Sequence, residues 1–423
     1  MRVLYVNKLY PPDVGGGAEV TLASIVTGVR ARGVEARVVT TGAADERRVD
    51  QVDGVSVVRL PLRNLYWHND TRKRSRALTL LWHGIDSYNL AMQHALRREI
   101  DAFAPDLISF HNLVGFSASA WAAAADAGVP AVQVLHDYYH LCARSQLHRG
   151  ADNCDKRCVS CSVLRLGRGN ASRKLSAVVG ISRAVLDRHL ERGVFRDVEQ
   201  QAVIHNARAL QPCAAREPAP RARTFGYLGT LGAWKGIEQL LAAFRTLQAA
   251  PDMSGVRLLI AGRGDDAYEG QLKRLFAAPG CEFLGQVKPN ELLSEIDVLV
   301  VPSLWHEPLG MVTVEALMAG VPVIAAARGG IPETVRDEDN GLLYDPAVPG
   351  ALEGCMRRLA LEAGLLPKLA ARSVASVARF TDVQRMLDEY VALYEQITKR
   401  RVPVREVREE VTKSAYGHGH VAE

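Results

Sequence analysis

Short apolar runs alternate with longer amphipathic stretches along this chain. Arg2–Val6, Ala36–Thr40, Val55–Arg59, Ala131–Leu135 and Ala177–Gly180 are nearly continuous in apolar side chains, the pattern of strands buried on both faces. Helices are predicted between them at about Ala18–Arg32 and Ser117–Ala127. A long amphipathic segment over about Thr79–Phe103 leads to Pro105-Asp-Leu-Ile-Ser-Phe-His111. Such alternation argues for parallel βαβ units. Gln211–Arg223, with three prolines, reads as a linker. The alternation then restarts: strand Thr224–Leu228, helix Gly236–Ala249, strand Val256–Ala261, helix about Gln271–Ala277, strand Glu282–Leu284, helix Asn290–Ile296, and strands Asp297–Val301 and Val321–Ala325. A helical segment, Asp382–Thr398, comes last. The expected organisation is a domain at 1–207, a linker at 208–223, a second domain at 224–380, a helix at 381–399 crossing back to the first domain, and a poorly ordered tail at 400–423.

A length of 423 residues exceeds what one core usually holds, so two domains are expected, each with its own sheet. Ligands of open α/β sheets bind beyond the carboxyl ends of the strands, which points to a cleft between two such domains. The net charge of +5 is too mild to argue for nucleic acid. It is compatible with anionic ligands, an anionic membrane surface or a solvated Arg-rich surface. Met1-Arg-Val-Leu-Tyr-Val-Asn7 reads as a buried strand rather than a signal peptide. No apolar run reaches the roughly 18 residues of a membrane span. The expectation is a cytoplasmic enzyme, with the inner membrane face as a further option.

The most informative stretch is Glu307-Pro-Leu-Gly-Met-Val-Thr-Val-Glu315, which follows the apolar run ending at Ser303. A strand ends in a polar loop, and a helix is predicted over Leu309–Ala319. Unpaired amides at a helix start attract phosphate. Carboxylates there would repel it, so Glu307 and Glu315 suit neutral hydroxyls. Amides for phosphate between two hydroxyl-binding carboxylates suit a nucleotide-sugar. Other chemistry-bearing loops also follow strands: Gly15-Gly-Gly-Ala-Glu19, where glycine permits close backbone approach; Gly229-Thr-Leu-Gly-Ala-Trp-Lys-Gly236; and His136-Asp-Tyr-Tyr-His140. Glu19 is expected to cap its helix or face solvent.

With these motifs, extended by Ala319-Gly-Val-Pro-Val-Ile324 and Gly329-Gly-Ile-Pro-Glu333, the chain from Met1 to about Gln396 resembles the retaining glycosyltransferases of family 4, in the glycogen synthase and sucrose synthase-like superfamily. The resemblance implies an α/β, GT-B fold: two Rossmann-like, doubly wound domains facing a central cleft. It implies that Glu307 approaches donor-sugar hydroxyls, that the backbone around Leu309, Gly310, Met311 and Val312 meets the diphosphate, and that Glu315 accepts hydrogen bonds from the ribose. The loop 229–236 resembles the family's Gly-Arg-Leu…Lys-Gly loop, so Lys235 would neutralise the diphosphate. Thr230 stands where the family has arginine; Arg263 and Arg183 are candidates to compensate. His136 matches a histidine that contacts the donor sugar in relatives and joins Lys235 and Glu307 as the expected catalytic set. Gly16 and Gly17 match the family's N-terminal glycine loop. Gln286 and Val287 fall where the base of a UDP- or GDP-type donor would sit. His111, Asp137 and Tyr138 are candidates for the acceptor side, Asp137 alternatively orienting His136. Ser182 and Asn206 match positions near the domain junction, or serve as turn and helix-cap residues. The implied mechanism is front-face attack by an acceptor hydroxyl, the leaving diphosphate taking the proton, with no cofactor. Asp337-x-Asp339, just before Asn340-Gly341, reads as loop chemistry rather than a metal motif.

Two features lie outside this scheme. Cys142, Cys154, Cys158 and Cys161 could hold a structural zinc, pack a loop as thiols, or form disulfides or an iron–sulfur site; four protein ligands would leave no open position for catalysis. The segment Arg63-Asn-Leu-Tyr-Trp-His68 and Arg72-Lys-Arg-Ser-Arg76, with Trp82, suits a phosphate-bearing or lipid-linked acceptor, or is a solvated loop. Other functions compatible with the fold are a sugar-nucleotide epimerase, which needs no acceptor, a phosphorylase, which needs inorganic phosphate, and a non-catalytic sugar-nucleotide-binding module. Intact Glu307, Glu315, Lys235 and His136 argue against the last.

Overall fold

The computed structural model describes residues 1–399 apart from 71, 73, 151, 210–216, 254 and 277. The tail 400–423 and part of the proline-rich linker lie outside the described residues. In chain order the strands are β1 Arg2–Val6, β2 Glu35–Gly42, β3 Arg48–Val52, β4 Val55–Pro61, β5 Leu107–Phe110, β6 Ala131–Leu135, β7 His148–Arg149, β8 Asp152–Asn153, β9 Ala177–Gly180, β10 Gln200–Val203, β11 Thr224–Leu228, β12 Arg257–Ala261, β13 Cys281–Gly285, β14 Val298–Val301, β15 Val323–Ala326 and β16 Gly341–Tyr344. The chain divides into two compact units. The first comprises Met1–Gln146, Lys156–Ala207 and the final helix Val383–Thr398; the second comprises Leu147–Asp155 and Arg208–Asp382.

In the first unit the sheet order is β10-β9-β6-β5-β1-β2-β4-β3. Its pairs are parallel except β3, which runs antiparallel to β4 with Asp50 opposite Val57. β1 sits between β2 and β5, Val3 pairing with both Ala36 and Leu107. Burial on both faces explains its unbroken apolar run. β3 and β10 are edge strands that the apolar pattern misses, because their exposed residues break it.

The segment 79–103 is two helices, Arg76–Ser87 and Leu90–Phe103. Asn89 separates them: its side chain accepts from the Met92 amide at 3.1 Å, an N-cap that starts the second helix. The first of these packs on the short helix Val159–Leu164, where the Ser87 hydroxyl donates to the Leu164 carbonyl at 2.8 Å. Beneath the pair lies a fully buried charged cluster. Arg165 and Arg168 stack on Tyr139 at 4.6 and 4.5 Å, Arg165 reaches Asp86 at 3.8 Å, and Tyr139 Oη donates to Asp86 at 2.8 Å.

The second unit holds a six-stranded parallel sheet, β13-β12-β11-β14-β15-β16. The helix expected at 271–277 runs over Asp266–Leu275, started by Asp265, which accepts from the Ala267 amide at 3.2 Å. β16 and the helices Ala351–Leu361 and Leu365–Ser376 were not anticipated. Tyr344, Leu352, Met356, Leu359, Leu366 and Leu369 from these elements all bury in the core of this unit.

Each sheet reverses its strand order once, between β1 and β5 in the first unit and between β11 and β14 in the second. The carboxyl ends at those points form the crevices where open α/β sheets bind ligands. Among the described residues, no helix is long and apolar enough to cross a membrane.

The final helix packs on the helix Gly17–Ala31 through Gly28, where an added Cβ would lie 2.3 Å from Leu387 Cδ1. Gly28→Leu should therefore cost about 1–3 kcal/mol in denaturant unfolding; an unchanged midpoint would show that this contact carries no weight.

Candidate active site

Two loops meet at the reversal point of the second unit. The loop after β11 makes a single 3-10 turn at Ala233–Lys235, and the Trp234 carbonyl accepts from the amides of Leu304 and Trp305 at 3.0 and 3.2 Å. Gly236 must be glycine: its φ is +71°, and a Cβ would lie 1.9 Å from the Pro302 carbonyl oxygen. So zipped, the loops bring Lys235 Nζ to 2.5 Å from Glu307 Oε1, which also accepts from the Ser303 hydroxyl at 2.7 Å. Lys235 stands 5.1 Å from the centre of the Trp305 ring. The far side of Glu307 is fixed by Gly329 (φ +58°), where a Cβ would sit 2.2 Å from the Glu307 carbonyl oxygen, and by the Gly330 amide donating to that oxygen at 2.7 Å. The Gly329-Gly330 pair therefore shapes the loop carrying the first carboxylate.

The helix that follows is Met311–Met318, two residues shorter at its start than expected. Gly310, at φ +83°, lies before the helix as its cap rather than inside it, and no side chain caps that end. Leu309 is buried, whereas Met311 and Val312 are partly open. Glu315, one turn on, is half-enclosed and pairs with Arg208 at 2.6 Å. Burial raises its pKa and Arg208 opposes the rise, so the arginine favours the charged carboxylate. Arg208 has no motif around it, and the sequence assigns it only to the linker.

Arg263 lies against Gly285 and pairs with Glu269 at 3.4 Å, which places it beside the exposed Gln286 and half-buried Val287. Thr230 is exposed, and its carbonyl accepts from Tyr227 Oη at 2.7 Å. Asp337 accepts from the Leu343 amide and Asp339 pairs with Arg336 and Arg372, the loop chemistry expected of them.

In the first unit the exposed Gly15–Gly17 loop opens the helix Gly17–Ala31. Glu19 is not at the surface: it is buried, with Asn7 donating to it at 3.5 Å. Lys8, which carries no motif, acts on both His136 and Asp137: burial lowers His136 and Lys8 adds to it, whereas burial raises Asp137 and Lys8 opposes the rise. His111 is buried behind His136 instead of lining an open face. Asp137 does not orient His136. It accepts from Asn112 Nδ2 at 2.6 Å and from the Tyr139 amide at 2.8 Å. Tyr138 is buried with its ring stacked on His189, so it supports the loop rather than a surface. Ser182 caps the helix Arg183–Glu191, accepting from the Val185 amide at 3.0 Å; Arg183 opens that helix in this unit, while Lys235 and Glu307 belong to the other.

What positions His136 is a buried chain of polar groups. His136 Nε2 is 2.8 Å from His111 Nδ1, and His111 Nε2 is 3.1 Å from Ser109 Oγ. Tyr394 Oη, from the final helix, donates to that same Ser109 oxygen at 3.2 Å. Burial lowers both imidazoles, His136 to about 4 with help from Lys8, so both are neutral at pH 7. Ser109 receives from Tyr394, so its own hydrogen goes to His111 Nε2. His111 then donates from Nδ1 to His136 Nε2. The remaining proton of His136 sits on Nδ1, a buried atom with no protein partner. In the reverse order Ser109 would donate to Tyr394 Oη, and the Tyr394 hydrogen would have to turn to the Tyr5 hydroxyl.

Cys142 and Cys161 are buried thiols; a hydrogen bond to Cys142 and burial push Cys161 well up, while Ser160 lowers Cys158. Cys154 belongs to the second unit and the other three to the first. Among the described residues, no three His, Cys, Asp or Glu side chains are arranged to hold a metal ion.

Comparison with known proteins bears on this geometry. Residues 16–207 match the model of the glycosyl transferase 4-like domain and residues 222–362 that of glycosyl transferases group 1. The chain is a glycosyltransferase, these two matched domains together spanning most of its length. An uncharacterised 42.6 kDa protein of the Klebsiella pneumoniae cps region is 28% identical over 339 residues, 79% of this chain and 88% of that protein. A D-inositol 3-phosphate glycosyltransferase of Corynebacterium jeikeium is 28% identical over 42% of this chain and 44% of its own length. Among solved structures, sucrose-phosphate synthase from Thermosynechococcus elongatus superimposes with a TM-score of 0.71 at 18% identity, covering 94% of this chain and 99% of that one. Anabaena Alr3699/HepE in complex with UDP-glucose gives 0.63 at 21% identity, covering 93% and 100%. The two α/β units are thus the domains of a GT-B glycosyltransferase, and the Glu307–Glu315 stretch lies within the group 1 match.

In this glycosyltransferase, nitrogen NMR of histidine-labelled protein should show His136 and His111 both protonated on Nδ1. His136 protonated on Nε2 instead would break the proposed proton order.

Proposed function

We propose that the chain is a retaining glycosyltransferase that moves a sugar from a nucleotide-diphosphate-sugar to a hydroxyl acceptor. The observation that carries this reading is the joint placement of Lys235, Glu307 and the uncapped start of the helix Met311–Met318 at the reversal point of one parallel sheet. The amides of Gly310, Met311 and Val312 and the Lys235 ammonium receive the diphosphate, the first through a helix terminus and the second as a point charge. A diphosphate that reaches Lys235 competes with Glu307 for it and turns the carboxylate toward the sugar hydroxyls. Glu315, its charged form favoured by Arg208, accepts from the ribose hydroxyls. Gln286 and Val287, with Arg263 beside them, border the base. Uridine is the first base to test, because the Alr3699/HepE structures contain UDP and UDP-glucose; GDP-sugars are the second.

In the first unit, His136 offers Nδ1–H to a sugar oxygen. A neutral imidazole in this state donates a hydrogen bond and does not act as a general base there. The Gly16-Gly17 loop admits a phosphate or sugar to close backbone approach. Attack and departure occur on one face of the sugar, the leaving diphosphate taking the acceptor proton while Lys235 and the helix terminus stabilise its charge. No metal is required for the diphosphate. For the cysteine-rich loop the proposal is a structural zinc on its thiolates, which among the described residues are not arranged to hold one as they stand, with reduced thiols packing the loop as the equal alternative. A zinc-free purified protein would reject that part alone. The basic, aromatic segment 63–76 supports a lipid-linked or phosphate-bearing acceptor, and with it a membrane surface, as part of this proposal.

A thermal-shift screen of nucleotides and nucleotide-sugars, followed by product analysis with the best donor, tests the whole reading. Glu315→Gln should weaken that donor's binding about tenfold or more, the loss of a hydrogen bond to a charged group; unchanged affinity removes Glu315 from the ribose. Proton NMR of the product should show the donor's anomeric configuration retained, and an inverted product would sink the mechanism.

A further inference from the structure

The helices Arg76–Ser87 and Val159–Leu164 pack together and turn apolar residues outward. Trp82 and Asp86 fill the inner face of the first, while Leu80, Leu81 and Ile85 face solvent. Val159 and Val163, one turn apart on the second, and Leu166 just beyond it are 82%, 67% and 84% exposed. Six large apolar side chains on two adjoining helices are more than the scattered exposure normal on a soluble surface.

The exposed charge on these two helices and on residues 156–186 is basic, with an exposed acid, Asp155, just before that stretch. The sole acid of the helix Arg76–Ser87 is the fully buried Asp86. No acid occurs between Lys156 and Leu186. Arg76 and Lys156 are exposed at the approaches to the two helices, and exposed Arg144 lies near enough to His83 to help burial and Arg165 lower it. A second copy of the chain docked two-fold on this face would bring like charges together. A partner with an apolar interior and an anionic surface satisfies both features.

We propose that the face formed by these two helices docks on an anionic lipid bilayer, with the six apolar side chains entering the headgroup region and the basic residues meeting lipid phosphates. This deepens the membrane contact in the functional reading above by naming the surface that makes it. Insertion gains from apolar burial and from charge attraction together, so salt should weaken binding without abolishing it.

Cosedimentation of the full chain with vesicles provides the test. Wild type should bind phosphatidylcholine vesicles containing phosphatidylglycerol, and bind phosphatidylcholine alone much less. Leu81→Glu with Val163→Glu should reduce binding at least about tenfold. Both positions are exposed, and an unchanged melting temperature and nucleotide-induced shift will show that fold and donor site survive. Equal binding of wild type and double variant overturns the proposal. So does a wild-type dimer that the double variant makes monomeric without any vesicle binding, which assigns the face to a second copy. Vesicle binding that is lost in the variant, with no response to any nucleotide-sugar, upholds the docking surface while the donor reading fails.

Discussion

In each unit one sheet, parallel but for the edge strand β3, decides where chemistry can be put. Parallel strands buried on both faces send every carboxyl end to the same edge, and a single reversal of strand order opens a crevice there. In the second unit the crevice lies between β11 and β14, and the loops leaving those strands carry Lys235 and Glu307. Nothing else is needed to bring together residues 72 positions apart in the chain. The loops themselves have little freedom, since Gly236 and Gly329 are pressed onto neighbouring backbone. A cation, a carboxylate and an open helix start are therefore fixed by the scaffold before any ligand is considered.

In the first unit the corresponding crevice is lined differently. His136 is governed by groups that do not touch the crevice, through His111, Ser109 and a tyrosine of the last helix. The last helix is thus more than a clasp on the helix Gly17–Ala31. Its tyrosine hydroxyl belongs to the hydrogen-bonded chain that ends on a ring 258 residues earlier. Charge is handled similarly: buried Glu19 and the cation Lys8 act on the surroundings of Asp137, and Lys8 also on His136, from a loop whose glycines alone were legible.

Strands buried on both faces were readable because their apolar runs have no competing explanation. The edge strands β3 and β10 were not, because half-exposed residues break the run. The split of 79–103 into two helices was written in Asn89, a capping residue, yet the amphipathic period continues across it. The carboxylates and lysine of the second unit were recognised from motif spacing, which records loop geometry. Arg208 and Lys8 were not, since a long flexible cation can reach a site from a segment with no pattern of its own. Glu19 and His111 were misplaced for one reason: sequence gives position along an element, not the depth at which a side chain ends.

The cluster of Asp86, Tyr139, Arg165 and Arg168 has a mechanical consequence. Two guanidiniums clamped on one ring, with one of them reaching a single carboxylate, tie the helix Arg76–Ser87 to the segment that follows Val159–Leu164. Removing one partner would strand a charge in the interior, so the clamp opens only at a cost of several kcal/mol. The apolar side chains above it stand on a stiff platform. They forfeit little backbone freedom when a soft surface closes over them, and the ordering falls mainly on that surface.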